Sequence, residues 1–160
     1  MNSKVISYIT EEVWRQGHDV NTLDGIERVG WMTNAWAYAI EISRTREWTE
    51  EGLYLRNILE LGQIIEPSKN LGGFRTCFMR VGATSINVAP IDVPKRIADL
   101  LADKELSDRP LDFYRAYEEI HPFLDGNGRS GKILLNLLNG SLLDPIFPPA
   151  DFWGRPILNP

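Results

Sequence analysis

The chain has 160 residues, 43% of them hydrophobic and 24% charged, with a formal net charge of −5. That is long enough for a domain with a sizeable core and too apolar for a disordered chain. No dense Lys/Arg run occurs, which argues against a nucleic-acid binder held by phosphate neutralisation. A single cysteine, Cys77, excludes an internal disulfide. Lying in a strand-like segment, it is expected to be a buried, inert thiol. With only His18 and His121 available, a zinc centre is disfavoured, and Mg²⁺ on carboxylate and phosphate oxygens is the expected metal. Residues 1–10 lack the pattern of a secretory signal, and no apolar run reaches the length of a membrane span. The expectation is a cytoplasmic protein with no membrane and no nucleic-acid partner. An effector exported without an N-terminal signal would read the same way.

The elements are mostly helical, and residues 1–160 are expected to form a single domain. N-terminal helices are expected within residues 5–43. The first, over residues 7–15, carries Ile6, Ile9 and Val13 on one face. The second is capped by Thr22 or Asp24 and runs to about Ser43, with Ile26, Val29, Thr33, Trp36 and Ile40 as its stripe. Thr49 is expected to cap a third helix with Leu55, Ile58, Leu59, Gly62 and Ile65 inward, broken by residues 67–73. The period then shortens. Residues 74–81 (F-R-T-C-F-M-R-V) read as a strand, 82–85 as a turn, and 86–89 as its partner. One hairpin is too small to stand alone and should be an appendage on the helical body. Asp92 and Pro94 open the next helix (Ile97, Leu100, Leu101). Arg109 and Pro110 open another, with Phe113, Tyr117 and Ile120 facing inward. That helix must stop near His121, because Pro122 disfavours helical geometry before it. Residues 133–138 continue as an apolar helix, ended by Asn139-Gly140, which is expected to be central and buried. A proline-rich tail, 144–160, should lie extended over the surface.

Between the last two helices stands H-P-F-L-D-G-N-G-R-S-G-K, residues 121–132. Gly126 and Gly128 allow close approach of backbone to a ligand, and a glycine loop feeding a helix N-terminus suits phosphate. Asn127 can donate to a phosphate oxygen or take a left-handed turn. Arg129 offers a planar fork to phosphate. Asp125 supplies a carboxylate where a bridging Mg²⁺ would need one. His121, with an ordinary pKa of roughly 6.5, suits proton abstraction at neutral pH. Phosphoryl and nucleotidyl transfer need positioning, charge neutralisation and often a base, and all three lie within a dozen residues. The bland alternative is a helix stop with Phe123 as a core anchor and a turn made by Asp-Gly-Asn-Gly. The histidine and arginine together favour function. The segment G-N-G-R-S-G-K also fits the start of a P-loop. Against that, Ile133 cannot ligand Mg²⁺, the preceding segment is helical, and no apolar strand ending in Asp follows.

His121, Pro122, Phe123, Asp125, Gly126, Asn127, Gly128 and Arg129 resemble the Fic-family signature H-P-F-x-[DE]-G-N-G-R-x-x-R. Upstream, residues 73–89 and the helix after them resemble that family's flap, so the likeness covers about 49–143. The resemblance implies a mostly α fold, a helical bundle with a β-hairpin flap over the active-site loop. It implies a protein adenylyltransferase that moves AMP from Mg-ATP to a Ser, Thr or Tyr hydroxyl of a target protein and releases pyrophosphate. By resemblance, His121 is the base and Asp125 holds Mg²⁺. Gly126, Asn127 and Gly128 form an anion hole, Arg129 binds phosphate, and Pro122 and Phe123 anchor the loop. The flap residues Met79, Arg80, Val81, Gly82, Ala83, Thr84, Ser85, Ile86 and Asn87 would align the target backbone. The signature's second arginine, which clamps the terminal phosphate and pairs with an inhibitory glutamate, is Lys132 here. Lysine keeps the charge but loses the fork. A relative using another donor or moiety (a kinase-like phosphotransferase) and an inactive binding module with the same fold are the alternatives. The family's inhibitory pattern [ST]-x-x-x-E-[GN] is only approximated, by residues 7–12 and 43–48. Inhibition by a separate antitoxin-like partner, as for a toxin, fits as well as self-inhibition.

Overall fold

The computed structural model describes residues 1–45, 52–150 and 152. Helix α1 (Ser3–Arg15) starts earlier than its periodicity suggests because the Asn2 side chain caps it, accepting from the Val5 N–H at 3.0 Å. Its buried face is Val5, Tyr8, Ile9, Glu12 and Val13. Ile6, expected on that face, is exposed. Helix α2 (Leu23–Ile42) is capped by Thr22, whose hydroxyl accepts from the Gly25 N–H at 3.2 Å. Here the expected stripe holds in part: Trp36 is fully buried and Val29 and Ile40 pack against the core. The buried face is Gly25, Arg28, Met32, Ala35, Trp36 and Ala39, and Ile26 is 57% exposed. Two contacts set that phase. A Cβ on Gly25 would lie 2.1 Å from the Asp19 carbonyl oxygen, and the Trp36 indole donates to the Leu142 carbonyl at 2.9 Å. Thr49, the expected cap of the next helix, lies outside the described residues, as do Glu47 and Trp48 of the second inhibitory candidate. Helix α3 (Leu55–Ile65) has Tyr54 at its N-cap. It buries Ile58, Leu61, Gly62 and Ile65, while Leu55 and Leu59 are half-buried.

The hairpin is shorter than expected. Strand β1 (Arg80–Val81) pairs antiparallel with β2 (Thr84–Ser85), Arg80 opposite Ser85 and Val81 opposite Thr84. Gly82, at φ 58°, turns the chain between them. One further bond, Ile86 N–H to the Met79 carbonyl at 3.0 Å, extends the pairing. Cys77 is not in a strand and is exposed, which corrects the expectation of a buried thiol.

A 3-10 turn (Pro90–Asp92) leads into α4 (Val93–Ala102), then a short α5 (Lys104–Ser107), α6 (Pro110–Ile120) and α7 (Asn127–Leu138). The unexpected α5 exists because Asp103 caps it, accepting from the Leu106 N–H at 3.0 Å. Helix α7 packs most extensively on α6 and also on α2 and α3, so it is central as expected. It is not purely apolar: Asn127, Arg129, Ser130 and Asn136 are buried on it. Asn136 secures the start of the tail, accepting from the Ile146 N–H at 2.8 Å and donating to the Ile146 carbonyl at 3.1 Å. Phe147 then stacks on Tyr8, with ring centroids 4.1 Å apart. Most of the expected extended run beyond Ala150 is outside the described residues. Among those residues no helix is long and apolar enough to cross a membrane.

Candidate active site

The loop between α6 and α7 is held by side chains from three directions. Helix α6 ends on His121, at φ 50° and ψ 66° the only non-glycine residue of positive φ among those described. A left-handed conformation costs such a residue about 1–2 kcal/mol, so something must hold it. The His121 N–H donates to the Tyr117 carbonyl at 3.0 Å, and its carbonyl accepts from Arg75 Nε at 2.7 Å. Next, Phe123 is fully buried, and its ring lies so close to α3 that a Cβ on Gly62 would sit 2.1 Å from it. Asn127 then clasps Phe123 on both sides, accepting from its N–H and donating to its carbonyl, each at 2.9 Å. Asn70 treats Asp125 the same way, donating to its carbonyl at 2.9 Å and accepting from its N–H at 3.4 Å. Gly126 takes the left-handed turn at φ 79°, where a Cβ would meet Ile65 at 2.3 Å.

The left-handed turn expected at Asn127 falls on Gly126 instead, and the buried Asn127 side chain is engaged by the loop backbone. Arg129 is also fully buried. A buried guanidinium needs a counter-charge, and Nη2 finds Glu66 at 2.8 Å and Asp125 at 3.4 Å, while Nη1 donates to the Ile65 carbonyl at 3.3 Å. Its Nε alone is a buried donor with no partner. Glu66 in turn accepts from Arg28 of α2 at 2.5 Å.

The Asp125 carboxylate accepts from the Gly126 N–H at 2.6 Å through Oδ1 and pairs with Lys69 at 2.5 Å through Oδ2. Burial alone would raise its pKa, but Lys69, Arg129 and the Gly126 N–H hold it below the ordinary value. Among the described residues no three His, Cys, Asp or Glu side chains converge as a metal cage. The donor set still fits a hard cation held mainly by phosphate and water: one ionised carboxylate, half-exposed, whose Oδ2 now pairs with the Lys69 ammonium. Burial is the chief cause lowering the His121 pKa, and the Arg75 charge adds to it against a backbone bond to Glu118 and the charge of Asp125. The imidazole is therefore neutral and able to accept a proton at pH 7.

Helix α1 covers the other side of the loop. Lys132 pairs with the fully buried Glu12 at 2.7 Å, and Gln16 donates to the same Glu12 oxygen at 2.7 Å. A Cβ on Gly128 would lie 2.6 Å from the Gln16 amide nitrogen. The glutamate facing Lys132 is thus Glu12, one residue beyond the Glu11 that the sequence pattern singled out. Glu11 itself pairs outward with Arg15 at 2.6 Å. Glu118 is half-buried nearby, with its Oε1 shielded from solvent and unpartnered, and desolvation pushes its pKa up to about 7, with Lys132 opposing and Glu12 reinforcing.

Asn70, Arg75, Glu66, Lys69 and Gln16 were not found by reading the motif. Only the Gly73-Phe74-Arg75 likeness pointed near any of them. The family model described as the Fic/DOC family matches residues 52–138, which spans α3 to α7 and leaves α1 and α2 outside. No curated protein matches the chain.

Proposed function

The chain belongs to the Fic/DOC family, and from that premise we propose that it transfers AMP from Mg-ATP to a Ser, Thr or Tyr hydroxyl of a target protein. The observation that carries this reading is an imidazole whose burial keeps it neutral, at the head of a loop that feeds a helix N-terminus and carries a carboxylate held ionised and paired with Lys69. His121 takes the hydroxyl proton, the oxygen attacks the α-phosphorus, and the bond to the β-phosphate bridging oxygen breaks to release pyrophosphate. Mg²⁺ would neutralise the phosphates from Asp125 once Lys69 yields it. The Gly126 N–H already serves Asp125, so the anion hole falls to the first-turn N–H groups of Asn127 and Gly128, which a helix leaves without internal partners. Arg129 contributes its one unpartnered Nε and otherwise shapes the loop. The flap, residues 79–87, docks the target by strand addition. The Glu12–Lys132 pair, closed by Gln16, supports a resting site restrained by α1 itself, with Lys132 reaching the terminal phosphate after release. An antitoxin-like partner would then be an added control rather than a required one.

The replacement of the second arginine by Lys132 supports a second reading, in which the nucleotide sits differently and the γ-phosphate is transferred. Incubation with candidate targets and ATP labelled at the α or γ phosphate separates the two, with His121→Ala as control. His121-dependent α-label is expected. γ-label alone would replace AMP transfer by phosphotransfer, and no His121-dependent label with any nucleotide would leave a binding module.

A further inference from the structure

Arg75 is fully buried, and no step of the proposed transfer uses it. Its guanidinium donates to four backbone carbonyls. Nε bonds His121 at 2.7 Å, and Nη2 bonds Ile120 at 3.3 Å, both at the C-terminal end of α6. Nη1 bonds Cys77 at 2.9 Å and Nη2 bonds Val88 at 2.7 Å, one on each leg of the flap. Its own N–H donates to the Pro122 carbonyl at 2.8 Å. The last carbonyls of a helix lack internal partners and carry the negative end of its dipole, so a cation there is doubly favoured. The same cation closes the root of the hairpin, where strand pairing has already ended. His121 stands in a left-handed conformation next to a proline, and an unrestrained residue there prefers extended geometry.

We propose that Arg75 is a positioning residue that fastens both legs of the flap to the carbonyl of His121, so that flap and base move as one body. A target strand that orders the flap then also fixes the imidazole. This rests on the AMP-transfer reading for its purpose, but the coupling can be measured without any nucleotide.

The imidazole spectrum holds only His18 and His121, so ¹⁵N-histidine titration reports the base with an internal control. In Arg75→Gln, loss of the neighbouring charge should raise the His121 midpoint by about half a pH unit or more and leave His18 unmoved. Hydrogen exchange should quicken about tenfold or more, together, at the amides of Ile86 and His121. The Trp36 indole, bonded to Leu142 deep in the body, should stay as protected as before. Arg75→Lys keeps the charge but not the fork. It should preserve the His121 midpoint and still loosen the flap, and it carries the test if the glutamine variant does not fold. The proposal is overturned if the flap amide quickens while His121 keeps both its exchange rate and its midpoint. It is equally overturned if exchange at Trp36 quickens in step, since Arg75 would then only stabilise the fold. Failure of α-label transfer in the unmodified protein would sink the functional reading and leave these measurements standing.

Discussion

The residues that matter at this site work by what neighbours do to them. His121 is kept neutral mainly by burial, so the acid limb of the transfer rate should have its midpoint below 6.5. His121→Ala should lower target labelling by at least about a hundredfold. A pH–rate profile on both proteins checks this, and an acid limb above 6.5 would remove His121 as the base. Glu12 is the opposite case, since its carboxylate pairs with Lys132, the lysine proposed to reach the terminal phosphate. Glu12→Gln should therefore tighten ATP binding by about tenfold and raise transfer in parallel, measured by calorimetry and label incorporation; unchanged affinity would mean that α1 is only structural. His121, Asp125 and the glycines were legible in the sequence because they are contiguous. Asn70, Glu66 and Arg75 were not, because the loop residues they hold, Asp125, Arg129 and His121, lie 46 or more residues away and spacing carries no record of such pairings.

At the scale of elements, the helices were legible and their phases less so. Periodicity placed α2, α3, α6 and α7, but the buried face of α2 also takes in Arg28, which turns inward to Glu66. A buried charge whose partner is on another helix defeats any reading by hydrophobicity. The flap was read as a long hairpin from its strand formers. Only two residues on each side form the ladder, extended by the one Ile86–Met79 bond, and beyond it the carbonyls at Cys77 and Val88 are satisfied by the Arg75 guanidinium. Helix α3 and the loop meet through Gly62 with no room to spare. Gly62→Val should force Phe123 out of its socket and destabilise the protein by about 1–3 kcal/mol. Urea denaturation should show this as a lower midpoint, with the loop residues losing exchange protection first.

For the whole molecule, α1, α6 and α7 meet around two carboxylates, the fully buried Glu12 and the half-buried Glu118, and one ammonium, Lys132. Glu118 has a folded pKa of about 7 against an ordinary 4.5, so the folded state binds more protons than the unfolded one between those values. Stability must therefore fall as pH rises from about 4.5 to 7 and stay lower above it, by about 3 kcal/mol at most. Glu118→Gln should flatten that slope and stabilise the protein at pH 8 relative to the parent; parallel urea midpoints at pH 5 and 8 for both proteins would contradict it. The sequence showed neither the shielding of the Glu118 carboxylate nor its company, since a glutamate on a helix normally faces water. The exposed Cys77 has a practical consequence. It is the chain's one thiol, and it stands at the foot of the flap with its carbonyl held by Arg75. A maleimide fluorophore can attach at that single place. Its anisotropy should rise when a target peptide settles on the hairpin, so the native chain carries its own attachment point for a reporter of substrate capture.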